Sequence, residues 1–226
     1  MRNYLLISLV FAAIKLTAQD TSTCKPSEPF TKVQLYDGIE ITLERGDSYT
    51  LCPSPLTRLE DLSISLEDGT LRVRKVSGVK YDKAPQLKII YKDLSVIEGY
   101  SKANIDAKNL IKGDSVKVEL RSGATLYAGL DVKYLEAVII EGCLFKADGY
   151  AISQKIDVAT GGTFSGFELE GTEGDVKVTS GGKAKINIEK KLTATASTGG
   201  FINYRGTPVL DVKTSFGGKI NHDTGK

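Results

Sequence analysis

The 226-residue sequence predicts an all-β fold, a solenoid of about six or seven coils that follows an N-terminal antiparallel β cap. Three observations predict it. Glycine-containing corners recur every 18 to 20 residues, hydrophobic residues alternate on both sides of each corner, and no helical periodicity lies between the corners. Repeats in which each short unit can stack only on its neighbours are typical of solenoid proteins.

The repeat is anchored on a glycine that follows a short strand and precedes a second glycine in four of six cases. Glycine adopts positive φ and has no Cβ to obstruct the neighbouring coil, so it suits a sharp corner. A phosphate-binding loop would need a GxxxxGK[ST] string between a strand and a helix, and the sequence has none. We therefore interpret the glycines as structural corners. The anchors are Gly123, Gly142, Gly161, Gly181, Gly199 and Gly217, with Gly99 as an outlying seventh member.

Hydrophobic columns around the anchor predict which side chains face inward. A large residue three positions after the anchor usually meets a small one at five positions, which indicates a shared core of constant volume. Four of the six residues directly before the anchor are Ser or Thr, and we expect their hydroxyls to bond along the stack or to the corner backbone. The first inward column is Leu126, Phe145, Phe164, Ala184, Ile202 and Ile220, and the second is Ala128, Ala147, Gly166, Ile186, Tyr204 and His222.

Residues 20–93 have a different sequence pattern from the repeats, and this pattern predicts a β-rich cap. Alternating hydrophobic residues run through 30–51, and residues 62–76 contain an Asp68-Gly69 pair between two alternating runs, a strong hairpin signal. A cap would cover strand edges and core at the open end of a solenoid. Because no linker follows, we expect this cap and the coils of residues 94–226 to fold as one unit.

The first 19 residues predict a secretory signal peptide. Arg2 precedes an apolar run from Tyr4 to Ile14, and small residues follow, whereas a membrane span needs about 20 apolar residues. Cleavage would remove Arg2 and Lys15 from the 30 basic residues and none of the 28 acidic ones, which leaves 28 of each. We expect a protein exported to the periplasm, the outer-membrane surface or the medium. Its balanced charge argues against a nucleic-acid partner.

The chain has three cysteines and one histidine, which limits the disulfides and metal sites that it can form. In an oxidising compartment Cys24 and Cys52 could form a disulfide, while the alternative is three free thiols with Cys143. Sequence spacing does not decide between these alternatives. With His222 as the single histidine, no Cys/His metal site is expected, and no cofactor is implied.

Several segments together resemble a known family. They are FTKVQLYDGIEITLERGD, LEDGTLRVR, LSVIEGYSKANI, the repeated [ST]GG corners and the terminal GGKINHD, which together span residues 30–222. Their order resembles the family described as putative auto-transporter adhesin, head GIN domain, found largely in envelope proteins of Bacteroidetes. The resemblance implies a right-handed parallel β-helix with a β-rich N-terminal part. It implies adhesion, with no catalytic residues to transfer to this chain.

The first functional hypothesis is a non-catalytic binding or structural module for an extended partner such as a glycan. The flat faces of a solenoid suit extended partners. Outward aromatic residues could stack on sugars, although they do not share one column, and scattered surface aromatics are common. The candidates are Tyr127, Tyr134, Tyr150 and Phe201, and the ligand-binding residues stay unknown at this level.

The alternative hypothesis is a polysaccharide lyase or hydrolase on a parallel β-helix. Glycoside hydrolysis needs two carboxylates roughly 5 to 10 Å apart across a groove. The candidate acids lie at different offsets from the corner glycine, and His222, a conceivable base, falls in an inward terminal column where closing the last coil is the expected role. A small-molecule or lipid carrier with a pocket between cap and coils is a third hypothesis. The acids considered are Asp131, Glu168, Glu170, Asp175 and Glu189.

Overall fold

The computed structural model describes residues 24–224, and the predicted signal peptide lies outside them. Within these residues the chain forms seventeen β-strands and one turn of 3₁₀ helix at Leu59–Asp61. The all-β prediction is confirmed. The strands are β1 (Lys25–Pro26), β2 (Lys32–Leu35), β3 (Glu40–Arg45), β4 (Thr50–Pro53), β5 (Leu62–Glu67), β6 (Thr70–Lys75), β7 (Gln86–Tyr91), β8 (Val96–Gly99), β9 (Asn104–Ala107), β10 (Ile111–Leu120), β11 (Thr125–Ile139), β12 (Leu144–Val158), β13 (Thr163–Val178), β14 (Lys183–Ser197), β15 (Phe201–Arg205), β16 (Val209–Ser215) and β17 (Lys219–His222).

The strands stack in parallel into a β-solenoid, as predicted. We call face A the strand segments before each glycine corner, face B the segments after it, and face C the segments that lead back to face A. In β12 the inward alternation breaks at residues 148–150 and 152–153, where the strand bends from one face to the next. Pairing with β11 and β13 continues on both sides of each bend, with a register shift against β13 between Lys146 and Asp148. These bends explain why β11 to β14 each run for 15 or 16 residues, longer than ordinary strands.

Each corner between faces A and B consists of two successive residues in the left-handed region. At the fourth repeat corner, Ser180 has φ of 51° and Gly181 has φ of 72°. The N–H of the corner glycine donates to the carbonyl of the following coil's corner, as in Gly181 to Thr198 at 3.1 Å. Equivalent corners occur at Asp37–Gly38, Ser101–Lys102, Ser122–Gly123, Glu141–Gly142, Thr160–Gly161, Thr198–Gly199 and Phe216–Gly217.

The second glycine of each pair serves a different purpose from the first. A Cβ on Gly200 would lie 2.3 Å from the carbonyl oxygen of Val178 in the preceding coil, whereas a Cβ on Gly199 would meet nothing within 4 Å. The first glycine therefore permits positive φ, and the second permits close stacking of two backbones. The sequence-based interpretation of the glycines as corners is confirmed.

Two details of the repeat differ from the sequence-based prediction. Gly99 is the last residue of β8 and pairs with Leu120, while the corner of that coil is Ser101–Lys102. Glycine is needed at position 99 because a Cβ there would lie 2.9 Å from Leu120 Cδ2 in the core. The backbone rather than the Ser and Thr hydroxyls bonds along the corners, except that Ser122 Oγ donates to Glu141 Oε2 at 2.8 Å.

The N-terminal region combines the predicted antiparallel pairs with parallel pairs that were not predicted. The strand pairs β1–β4, β4–β7 and β5–β6 are antiparallel. However, β2 and β3 stack in parallel between β6–β7 on one side and β8–β9 on the other. The coil of β2 and β3 therefore lies between the outermost coil, β6–β7, and the coil of β8 and β9. The division into a cap of residues 20–93 and coils of residues 94–226 stays a prediction.

The inward columns form one continuous core, as the alternation predicted. Both predicted inward columns are buried from Leu126 and Ala128 up to β14. The volume compensation is direct, because a Cβ on Gly166 would lie 2.6 Å from Cε1 of Phe164. Phe164 in turn packs edge-to-face on Phe145 with ring centroids 5.4 Å apart. The last described coil is the exception, because no further coil covers its inward residues within residues 24–224.

The neighbouring glycines at one corner provide a matched test of the two roles. We expect Gly199→Ala to destabilise the protein by about 1 to 2 kcal/mol, the cost of a left-handed alanine, and Gly199→Asn by less. Gly200→Ala should cost more than about 3 kcal/mol, because the adjacent coil must shift to admit the Cβ. Denaturant unfolding of the three variants measures these differences. Equal destabilisation by the two alanines would contradict the corner assignment.

Candidate functional site

A polar groove of about 430 Å³ lies on face B near the N-terminal end of the stack. Strands β7, β3 and β9 form its floor, and the end of β4 forms one wall. The in-register pairing places Gln86, Glu40 and Asn104 in one outward column across three coils, and Lys88, Thr42 and Asp106 in the next. Because these residues alternate with buried ones on short rigid strands, their side chains must point out of the sheet.

Hydrogen bonds within the groove fix part of its lining. Gln86 Nε2 donates to Glu40 Oε2 at 2.7 Å, and Lys88 Nζ lies 3.3 Å from Glu44 Oε2. Asp106 is paired with Lys108. The groove therefore presents amide, hydroxyl, ammonium and carboxylate groups, with charges of both signs and one more carboxylate than ammonium. Such groups can donate to and accept from sugar hydroxyls.

Tyr127 continues the second groove column. It pairs with Asp106 in the neighbouring coil and points outward, with 41% of its surface exposed. An exposed phenol ring beside polar groups offers an apolar surface with a polar tip. Among the four aromatic candidates from the sequence, Tyr127 is the one that lies next to the groove lining.

The other three aromatic candidates lie elsewhere, in separate columns as the sequence indicated. Tyr134 lies at the bend from face C to face A, between Ser115 and Ser153. Tyr150 is on face C, where its hydroxyl lies 3.3 Å from Thr172 Oγ1. Phe201 is on face B near the C-terminal end. The structure does not gather them with Tyr127.

The wall of the groove is held by the N-terminal cysteines. Cys24 precedes β1 and is joined by a disulfide to Cys52 in β4, 28 residues away. The N–H of Ser54 donates to the carbonyl of Gln86 at 3.0 Å, which fixes the end of β4 to the groove floor. Cys143 is buried in the core, and burial raises the pKa of its thiol, which keeps it in the unreactive form.

A buried carboxylate cluster on face A holds the N-terminal coils together. Glu98 accepts from Gln34 Nε2 at 2.7 Å and from Tyr100 Oη at 3.0 Å, and it forms an ion pair with Lys32 at 2.5 Å. Arg72 extends the cluster by donating to Gln34 Oε1 at 2.9 Å. These residues come from β6, β2, β8 and the residue after β8. The cluster therefore bonds three successive coils to one another.

The surroundings of Glu98 favour its ionised form. Burial acts to raise its pKa, but the hydrogen bonds from Lys32, Gln34 and Tyr100 outweigh burial, and the net pKa is lowered. Burial and the bond to Glu98 together raise the pKa of Tyr100, so its hydroxyl stays a donor. Sequence reasoning missed the cluster because Gln34 and Glu98 are 64 residues apart. The cluster has its partners within the protein, so its role is structural.

Replacement of Glu98 tests that structural role through pH. Since its folded pKa is lowered, its stabilisation is present above the ordinary value of 4.5 and is lost as the pH falls through the folded pKa. We expect Glu98→Gln to lower the free energy of unfolding at neutral pH by about 1 to 3 kcal/mol. The variant should also lose less stability than the wild type between about pH 5 and pH 3.

Urea titrations across that pH range measure both effects. The matched control is Glu44→Gln, whose half-exposed carboxylate pairs with Lys88 and should contribute less than about 1 kcal/mol. An unchanged pH profile for Glu98→Gln would show that the cluster does not stabilise the fold.

The candidate acids for hydrolysis are only partly separated, as two of them share a column. Asp131, Tyr150 and Glu170 are in register on face C, because a bulge after Gly166 shifts β13. The two carboxylates are thus two coil spacings apart, about 10 Å between backbones. Asp131 forms an ion pair with Lys112 at 3.0 Å on an open surface. The sequence offsets missed this alignment because they assumed coils of constant register.

Of the remaining acids, Glu189 lines a cleft of about 270 Å³ on face C together with Tyr150 and Glu170. Glu168, Asp175 and the histidine do not line it. Glu168 lies 3.9 Å from Arg205, and Asp175 pairs with Lys155 and Thr193 in neighbouring coils. His222 stacks on Tyr204 with ring centroids 4.8 Å apart, in the terminal inward column. The same bulge places Phe167 beneath Arg205 at 4.0 Å, a contact without a sequence signal. Residues 24–224 contain no group of three or more His, Cys, Asp or Glu suited to a metal ion.

The sequence profile of one family, described as putative auto-transporter adhesin, head GIN domain, matches residues 29–208. The chain belongs to this family. The resemblance identified from its corner and hairpin segments is thereby confirmed. A search of curated proteins gives no match. No helix within the described part of the chain has the length and hydropathy needed to cross a bilayer.

Solved structures share the fold of this family member at low identity. A putative adhesin from Bacteroides fragilis has a TM-score of 0.79 at 16% identity, covering 89% of this chain and 94% of its own. A putative adhesin from Parabacteroides distasonis has a TM-score of 0.75 at 17% identity, with coverage of 90% and 96%. A protein from the same species described as a putative lipid binding protein has a TM-score of 0.70 at 14% identity, with coverage of 89% and 96%.

Proposed function

We propose that this chain is an exported, non-catalytic binding module of the cell envelope, and that the face B groove binds a short stretch of an extended glycan. The observation that carries the proposal is the alignment of two polar columns with an exposed tyrosine across four neighbouring coils. Family membership supports an adhesin-like role. Export and the Cys24–Cys52 pairing belong to the same proposal, because a stable disulfide needs an oxidising compartment.

The chemistry of the groove favours a neutral or weakly charged glycan. Planar amides at Gln86 and Asn104 can bond pairs of vicinal hydroxyls, and the ring of Tyr127 can cover the apolar face of a sugar. The lining carries two carboxylates, Glu40 and Asp106, and one ammonium, Lys88, so neither a strongly anionic nor a strongly cationic polymer is favoured. A polar lining is also a poor match for an acyl chain. The lipid-binding relative therefore does not lead us to propose a lipid in this groove.

Binding should be modest and insensitive to salt. Few groups are fully desolvated in an open groove, so we expect dissociation constants in the micromolar range or weaker for short oligosaccharides. Contacts between polar but uncharged groups should survive moderate ionic strength, unlike a charge-driven contact.

A glycan screen with matched variants tests the proposal. Asn104→Ala and Tyr127→Ala should each weaken binding of the best oligosaccharide by about tenfold, as measured by titration calorimetry. The controls are Asn203→Ala on the same face near the other end of the stack and Tyr134→Ala at the bend between faces C and A, and both should bind as the wild type does. Equal binding by all four variants would exclude the groove.

The polysaccharide lyase or hydrolase alternative is supported by the shared column of Asp131 and Glu170 and by the cleft that Glu170 and Glu189 both line. The same glycans should therefore be checked for new reducing ends or unsaturated products. Turnover that Asp131→Asn or Glu170→Gln abolishes would replace the binding proposal with an enzyme. Binding without turnover agrees with a non-catalytic module.

A further inference from the structure

The C-terminal end of the described stack is open. In β14 the inward residues Leu192 and Ala194 are 0% and 1% exposed, whereas the residues stacked on them in β16, Leu210 and Val212, are 44% and 45% exposed. Phe216 at the adjoining corner is 86% exposed. Core positions of the last described coil thus face solvent. At the other end of the stack, β1, β4 and β5 lie outside the parallel strands.

At this end, every second residue of β16 has backbone N–H and C=O groups without a partner within residues 24–224. In earlier coils the N–H two residues before the corner glycine donates to the preceding coil, as in Thr179 to Val158 at 2.8 Å. The equivalent residue of β16 is Ser215. Because backbone groups point alternately to the two sides of a strand, Leu210, Val212 and Thr214 direct their N–H and C=O away from β14, toward the free edge.

The charged residues of β16 favour one register for pairing its free edge with a second copy. An antiparallel pairing of β16 with a second copy, centred on Val212, joins the free groups of Val212 to each other and those of Leu210 to Thr214. It also places Asp211 opposite Lys213 twice, by symmetry. Pairings centred on residue 211 or residue 213 would oppose like charges. The favourable centre is also the middle of the strand Val209–Ser215, so the overlap is complete.

We propose that two copies of this chain associate end to end through β16, in a two-fold symmetric dimer centred on Val212. The inward residues of the two last coils then cover one another, and the sheet of face A continues across the interface. Asp211 and Lys213 form no ion pair within residues 24–224, so both are available to the second copy. The two-fold arrangement is closed, which prevents growth into a fibre.

The small cross-section of the solenoid predicts a weak dimer. The contact is about one coil on each side, which is below the area of standard stable interfaces. We expect a dissociation constant in the micromolar range, measured by sedimentation velocity on the protein recovered after export. The inference is independent of the groove, which lies at the opposite end and stays accessible in the dimer. Glycan binding and dimerisation can therefore fail separately.

A charge swap tests the register. Lys213→Asp opposes acids at both symmetric pairs and should weaken the dimer by about tenfold, and Asp211→Lys should do the same with lysines. The double variant Asp211→Lys/Lys213→Asp restores opposite charges and should return the dissociation constant to within about threefold of the wild type. Lys177→Asp, on the same outward face two coils earlier, is the control and should have no effect.

Two results would overturn the inference. One is a monomeric wild type at about 100 μM, which would leave the edge for a different partner. The other is a double variant that dimerises no better than the single ones, which would show that the pairing is not centred on Val212. Circular dichroism of each variant confirms that the fold is retained, because these side chains point outward from the last strand.

Discussion

From β2–β3 to the end of the described stack, each coil passes from face A to face B at a two-residue corner while its backbone stays about 4.8 Å from the next coil, whereas the outermost coil crosses from β6 to β7 through residues 76–85. The left-handed pair at each corner satisfies this constraint, and a backbone bond of 3.1 Å from one corner to the next keeps the coils in register. This register aligns the side chains of successive coils in columns. The inward columns close into a core, and the outward columns become rows of side chains with fixed spacing.

We place the binding sites on the outside of the stack because side chains fill its interior. Side chains such as Phe164 occupy the space that a neighbouring glycine leaves, so the inward columns serve packing. Binding must therefore use rows on the faces or the ends. At one end, antiparallel strands and a disulfide frame a polar groove on face B. At the other, an uncovered strand offers a self-complementary edge. A dimer formed there would carry two grooves at its far ends, an arrangement suited to bivalent binding of a long polymer.

The sequence predicted the regular part of the fold because that part repeats. Corner glycines, alternation and volume compensation recur in each coil, so several weak signals agree. It did not predict that β2 and β3 lie between later strands, because no local pattern records the order of stacking. For the same reason the sequence around Gly99 resembles a corner, although Gly99 packs against Leu120. The groove bond between Gln86 and Glu40 joins residues 46 positions apart, and the cluster bond between Gln34 and Glu98 joins residues 64 positions apart. A bulge aligns Asp131 with Glu170, so these features follow only from three-dimensional register.

Amide hydrogen exchange at the corners, measured by NMR in dilute solution, tests the stacking account most directly. Gly123, Gly142, Gly161, Gly181 and Gly199 each donate to the corner of the following coil, whereas Gly217 has no coil beyond it among residues 24–224. The account predicts that the five bonded amides exchange slowly and that Gly217 exchanges at least a hundredfold faster, on the order expected for an unbonded surface amide. Rapid exchange at all six glycines would show that the corners are ordinary mobile turns, and would contradict the account.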